Sequence, residues 1–198
     1  ARSQVQQLRA GSSAIITGVG SIIYDDSSLT VRADQLKLDD AERISQRQPL
    51  RIVLDSQLRI PLTAKILKQP GETVIVFCQA EPQKLAELRT LGVTCVRLPA
   101  DGIGRVALPS LMEYLAEREC NDVLLETGAT LAGAFAQAGL IDELIIFMAP
   151  TLLGHSARGL LHLPGIDKMA DQVPLELKDC RVVGNDLMLT ARFKGKTK

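Results

Sequence analysis

The feature that most constrains this chain is a succession of short, nearly unbroken apolar runs separated by helical stretches. Ala14-Ile15-Ile16-Thr17, Leu50-Arg51-Ile52-Val53-Leu54, Thr73 to Cys78, Val93 to Leu98, Asp122 to Glu126 and Glu143 to Met148 all read as strands. Apolar runs that lack polar alternation belong to strands buried on both faces. Between them, Gln83 to Leu91 sets Leu85, Leu88 and Leu91 on one helical face, and Leu108 to Arg118 and Leu131 to Ala138 also have helical patterning. Strands alternating with helices imply βαβ units and a mainly parallel sheet covered on both sides, an α/β class. With no Trp and only 3% aromatic residues, that interior has to be aliphatic.

The two ends depart from the pattern. Leu175 to Val183 and Leu187 to Phe193 flank Gly184-Asn185-Asp186, which predicts a C-terminal antiparallel hairpin and hence a mixed sheet. Its apolar residues suit pairing across a two-fold axis, so a homodimer is expected. The last five residues, three of them lysines, read as a frayed tail. At the start, Ala1, Val5 and Leu8 share one helical face with no N-cap residue before them. The chain thus opens inside a helix, and a preceding strand or whole domain is expected in the intact protein. Ser27 to Gln48 is polar and weakly patterned, and reads as a surface excursion; Gly18 to Ser21 reads as a glycine turn and Ile22 to Asp26 as a short helix. A length of 198 residues fits one domain.

Charge and composition exclude several functions. Twenty-three basic and 23 acidic residues cancel, so no global field holds a polyanion, and two Tyr and four Phe make no base-stacking platform. Nucleic acid is therefore not an expected partner. Neither an apolar run of about 18 residues nor a signal-peptide pattern occurs, so no membrane partner is expected either. Cys78, Cys95, Cys120 and Cys180 are far apart in sequence, which fits reduced thiols and a cytoplasmic location. His155 and His162 have no third ligand nearby, so surface or packing roles are expected and no metal site.

Several segments can carry chemistry. Gly128-Ala129-Thr130-Leu131-Ala132-Gly133-Ala134 follows a strand and opens a helix, where unpaired N–H groups favour a phosphate. The other reading is a glycine turn with close helix packing. Gly18-Val19-Gly20-Ser21 makes a second such turn, with Ser21 as a candidate N-cap and phosphate donor. Asp25 and Asp26 diverge by about 100° on a helix, too far to share a proton, and a solvated helix end is the alternative. Glu126 closes a buried strand, and Asp55-Ser56 closes another; side chains at such ends line the crevice where α/β proteins bind ligands, or else cap loops. Arg9 and Arg32 would suit a phosphorylated substrate if they converge.

Taken in order, Leu8-Arg9-Ala10, Ala14 to Ser21, Asp25-Asp26 with Leu29-Thr30-Val31-Arg32, Glu126 to Gly133 and Gly139 to Glu143 resemble the reductase domain of the bifunctional riboflavin-biosynthesis (RibD) family. Pro150 to Gly154 and Ala157-Arg158-Gly159 extend the likeness to nearly the whole chain. Ser27 stands where that family usually has proline, and Ser21 where threonine is common. The family's first strand and the loop after it are absent, as is any His-x-Glu with Pro-Cys-x-x-Cys, the signature of the zinc-deaminase partner domain.

The resemblance implies a dihydrofolate-reductase-like three-layer fold. It also implies NADPH-dependent reduction of 5-amino-6-(5-phosphoribosylamino)uracil to its ribitylamino product. Cofactor contacts then fall on Ser21, Asp25, Ser56 and Gly128 to Ala134, and substrate contacts on Arg9, Leu29, Arg32 and Glu126, with Glu126 and Asp25 as the catalytic candidates. The competing expectation is a non-catalytic NADP-binding or dimerising module with the same fold. A dihydrofolate-type reductase fits less well, because no aromatic-rich pterin pocket is evident.

Overall fold

The structure, a computed structural model, describes residues 1–194; the expected lysine-rich tail beyond Lys194 lies outside them. Two compact units form, one from Arg2 to Gly128 and one from Ala129 onward that also takes in Ala1. In chain order the first unit holds α1 (Arg2–Gly11), β1 (Ala14–Gly18), α2 (Val19–Asp25), α3 (Ala33–Leu36), α4 (Ala41–Gln46), β2 (Leu50–Leu54), β3 (Thr73–Phe77), α5 (Pro82–Thr90), β4 (Thr94–Arg97), α6 (Leu108–Glu117) and β5 (Val123–Leu125). The second holds α7 (Ala129–Gln137), β6 (Glu143–Met148), β7 (Leu175–Val183) and β8 (Asp186–Phe193).

In the first unit all five strands are parallel, in the order β4-β3-β2-β1-β5. The unbroken apolar runs foretold this, since Ile15, Ile16, Ile52, Val53, Val74, Ile75 and Val76 are all fully buried. Each such side chain contributes about 1.5–3 kcal/mol relative to exposure. One face packs on Val19 and Ile22 of α2, Leu88 of α5 and the loop residues Leu58, Ile60 and Ile66.

The second unit carries its own antiparallel sheet, ordered β6-β8-β7. The terminal hairpin forms as expected, with Gly184 at φ 65° heading a two-residue turn between paired Val183 and Asp186. The ladder, however, is not shared with the parallel strands as the mixed-sheet expectation had it. All six residues of β6 pair with β8, so the hairpin's third strand comes from β6 and closes a separate sheet.

Two local expectations are corrected. Along α1, where the sequence sets Ala1, Val5 and Leu8 on one face, the buried residue is the polar Gln6. Its Oε1 accepts the Arg32 N–H at 2.8 Å and its Nε2 reaches Gln35 Oε1 at 3.4 Å. Nor is Ser27 to Gln48 a mere surface excursion, because Leu29, Thr30, Val31 and Leu36 are buried within it. Gln48 pairs with both backbone groups of Val31, at 2.9 Å each, as a neighbouring strand would. Side-chain amides doing the work of a backbone ladder leave no periodic signal in sequence.

A candidate active site at the carboxyl ends of the parallel strands

From β1 the chain moves outward through β2, β3 and β4, then returns to place β5 on the other side of β1. The order therefore reverses between β1 and β5. In parallel α/β sheets the crevice outside the carboxyl ends at such a reversal is where ligands bind. Here the two strand ends are tied together: Glu126 N–H donates to Ile16 O at 3.0 Å, and Gly18 N–H to Thr127 Oγ1 at 3.3 Å.

At this point the structure brings together three groups from distant parts of the chain. Arg9, in the last turn of α1, grips Glu126 with two parallel bonds, Nε to Oε2 at 2.8 Å and Nη2 to Oε1 at 2.5 Å. Its remaining Nη1 donates to the Thr30 carbonyl at 3.0 Å. The Arg9 side chain is 12% exposed and that of Glu126 32%, so the pair is partly shielded while the carboxylate still meets solvent. A two-pronged arginine fixes a carboxylate in position as well as in charge. Arg32 reaches the same residue, Nε to Thr30 Oγ1 at 3.4 Å, and remains exposed.

The turn that presents Thr30 is backbone-strained. Leu29, just before it, has φ 52°, a left-handed conformation that costs a non-glycine residue energy and recurs at functional sites. The Leu29 side chain lies in the hydrophobic core with Ile15, Val53 and Ile75. Any ligand contact from Leu29 therefore has to come from its backbone.

Ser21, Asp25 and Ser56 lie on the segments that follow β1 and β2. Ser21 is half-buried in the first turn of α2, but the helix begins at Val19 with Gly18 before it, so Ser21 is not the N-cap. Asp25 ends α2 and is exposed. Its neighbour Asp26 takes a left-handed φ of 45° and accepts the Lys65 N–H at 2.9 Å and its ammonium at 3.1 Å. These contacts hold the Asp26 carboxyl below its ordinary range. Ser56 follows β2; its Oγ accepts the Val106 N–H at 3.2 Å and its carbonyl those of Cys78 and Gln79.

Asp55, just before it, is wholly buried, with Oδ2 accepting the Ile60 N–H at 2.7 Å and Oδ1 lacking a partner. Thr17 Oγ1, at the end of β1, is likewise buried and unpartnered. Sequence reasoning named Asp55 only as a crevice or cap residue and missed Thr17 and Thr30; runs of apolar neighbours mask a buried threonine.

The glycine-rich segment divides in character. A Cβ on Gly128 would meet nothing within 4 Å, and the same holds for Gly20, so both backbones can be approached. Gly133, by contrast, lies against the chain itself: a Cβ there would fall 1.9 Å from the His162 carbonyl oxygen. Close packing accounts for that glycine, and His162 serves through its backbone, which also donates to Ala129 O at 3.0 Å. Ala129, Thr130, Leu131, Ala132 and Ala134 form the first turns of α7. Among the described residues no cluster of three His, Cys, Asp or Glu could hold a metal, and no helix is long and apolar enough to cross a membrane.

The fold defines an α/β protein whose parallel sheet has its topological switch point between β1 and β5. The chain belongs to the RibD C-terminal domain family, whose model matches residues 1–189. It is 43% identical over 193 residues to riboflavin biosynthesis protein RibD of Escherichia coli K12, covering 96% of this chain and 51% of that one. It is 36% identical over 195 residues to the 2,5-diamino-6-ribosylamino-4(3H)-pyrimidinone 5′-phosphate reductase of Methanothermobacter thermautotrophicus, covering 97% and 85%. A solved RibD structure from Acinetobacter baumannii aligns with a TM-score of 0.82 at 39% identity, over 98% of this chain and 50% of that one. The chain thus spans about half the length of the RibD proteins it matches.

Proposed function

We propose that residues 1–198 act as one reductase domain that reduces 5-amino-6-(5-phosphoribosylamino)uracil to the ribitylamino product with NADPH. The observation that carries the reading is the Arg9–Glu126–Thr30 cluster at the β1/β5 reversal, a fixed carboxylate beside an exposed arginine, Arg32. A ribosylaminopyrimidine phosphate offers complementary groups: sugar hydroxyls for Glu126 and a phosphate for Arg32. The family match supports it, and so does the Methanothermobacter relative, whose name states reduction of a closely similar ribosylamino-pyrimidinone phosphate.

Residues of the described structure fit a dinucleotide phosphate. Gly20 and Gly128 leave open space where a Cβ would stand, and a cavity bearing an arginine lies at the ends of β3 and β4. When bound there, NADPH would supply a hydride for the sugar C1 carbon. What the chain contributes is placement. Ser21, Asp25, Ser56 and Gly128 to Ala134 hold the cofactor; Arg9, the Leu29 backbone and Arg32 hold the substrate. Glu126, locked by Arg9, orients the sugar and takes part in proton movement as the ring opens, with Asp25 the second acidic candidate.

The finer assignments of setting follow the same reading. The protein works as a homodimer in the cytoplasm. β7 supports the dimer: it is an edge strand with Leu175, Leu177 and Val182 39%, 59% and 74% exposed. All four cysteines are unpaired, which suits a reducing compartment.

Mixing the protein with NADPH and 5-amino-6-(5-phosphoribosylamino)uracil should yield a product carrying two added hydrogens by mass spectrometry. NADPH binding without any such product would support the non-catalytic module instead. Turnover of the 2,5-diamino pyrimidinone alone would move the substrate assignment to the earlier compound.

A further inference from the structure

We propose that Arg97 is the residue that selects NADPH over NADH, reading the phosphate on the adenosine ribose in a cavity at the carboxyl ends of β3 and β4. This rests on the reductase reading above and adds a specificity determinant to it.

The cavity, of about 430 Å3, is lined by Cys78, Gln79, Arg97, Leu98, Pro99 and Ala100. That volume lies within the range of small-ligand pockets, and it can take one nucleoside end of a dinucleotide but not the whole. Its walls divide by chemistry. Leu98, Pro99, Ala100 and the buried Cys78 offer an apolar slot suited to a flat ring, whereas Arg97 and Gln79 offer donors. Arg97 is the only charged residue among the six, so an anionic group entering here meets no lining carboxylate. The nearby Asp101 carboxylate is engaged by the N–H groups of Ile103 and Arg105.

Arg97 is also anchored rather than loose. Its Nε donates to the Cys78 carbonyl at 3.3 Å, which leaves both terminal nitrogens for a ligand while the side chain is exposed. A guanidinium held by one edge presents its other donors in the fork that phosphate oxygens accept. Two of the lining residues, Cys78 and Gln79, donate backbone N–H to the carbonyl of Ser56, an expected cofactor residue. Cys78 Sγ lies 3.4 Å from Gly104 O, and Ala100 pairs with Val106 in an antiparallel bridge. Because the chain has no net charge, discrimination between a phosphorylated and an unphosphorylated ribose needs a local cation of this kind.

The test measures dissociation constants of NADPH, NADH and adenosine 2′,5′-bisphosphate for the wild type, Arg97→Gln and Arg97→Lys, with circular dichroism confirming that each is folded. The expected result is that Arg97→Gln weakens NADPH and the bisphosphate by about tenfold, roughly 1.4 kcal/mol, and leaves NADH unchanged, while Arg97→Lys keeps most of the preference. Equal weakening of NADPH and NADH, or no change in either, would overturn the assignment. If the wild type prefers NADPH and Arg97→Gln keeps that preference, only the role of Arg97 falls. If the wild type binds neither coenzyme, the reductase reading falls and this assignment with it.

Discussion

A single arginine sets the geometry of the candidate site, because Arg9 bonds Glu126 and Thr30 through three of its five guanidinium N–H groups. Glu126→Gln removes the charge that Arg9 compensates and keeps the side chain's size. Turnover is expected to fall by about a hundredfold or more, with a melting temperature close to wild type; Arg32→Ala should likewise lower turnover far more than stability. Unchanged steady-state rates would remove both residues from the mechanism.

Arg51 is the opposite kind of residue. It is wholly buried and bonds Thr73 Oγ1 and the carbonyls of Gln69, Pro70 and Gly71, with no carboxylate among those partners. Burial pushes its pKa below the usual arginine value. Arg51→Met leaves those acceptors unpaired, and urea unfolding should show a loss of about 2–4 kcal/mol. At this scale the sequence singled out Arg9 and Glu126, which the structure pairs in the candidate site, because strand-end acids and helix-end arginines are recognisable. It could not disclose the Thr30 carbonyl or the buried Gln6, since a backbone acceptor has no residue signature and a buried amide resembles a surface one.

Between elements, the Asp26–Lys65 contact joins the end of α2 to the Lys65–Lys68 turn. The folded protein holds the Asp26 pKa below its unfolded value of 3.8, so the resulting stabilisation is present above that value and is lost as pH falls through the folded one. Asp26→Asn should therefore flatten the acid limb of a stability-against-pH curve; an identical limb would show that the contact carries no weight. The two glycines of the Gly128–Ala134 segment separate just as cleanly. Gly133→Ala drives a methyl into His162 and should cost about 1–3 kcal/mol in thermal unfolding. Gly128→Ala meets open space and should spare stability while weakening NADPH binding. Elements with apolar runs were legible to within a residue: β2 and β6 have the bounds their sequences implied, and β1, β3, β4 and β5 differ by one residue at one or both ends. The stretch from Ser27 to Gln48 was not, because Gln48 and Gln6, rather than a hydrophobic period, hold it in place.

For the molecule as a whole, parallel order was readable from unbroken apolar strands, but the division into two sheets was not. That division depends on which neighbour β6 chooses, and a six-residue apolar strand pairs equally well in either direction until a partner is supplied. The reversal between β1 and β5 is also a property of the assembled sheet, and it is what turns scattered side chains into a crevice. The neutral net charge is compatible with the proposed site, where local guanidinium groups rather than a long-range field would hold anionic ligands. The central claim is that the cluster at this reversal acts on a ribosylaminopyrimidine phosphate while the cofactor is held elsewhere. Single-turnover absorbance of protein-bound NADPH, followed on adding 5-amino-6-(5-phosphoribosylamino)uracil to wild type and to Glu126→Gln of matched NADPH affinity, tests it most directly. The account predicts rapid loss of the reduced-nicotinamide band in the wild type and a far slower loss in the variant. Equal rates in the two proteins, or no substrate-dependent loss in the wild type, would contradict it.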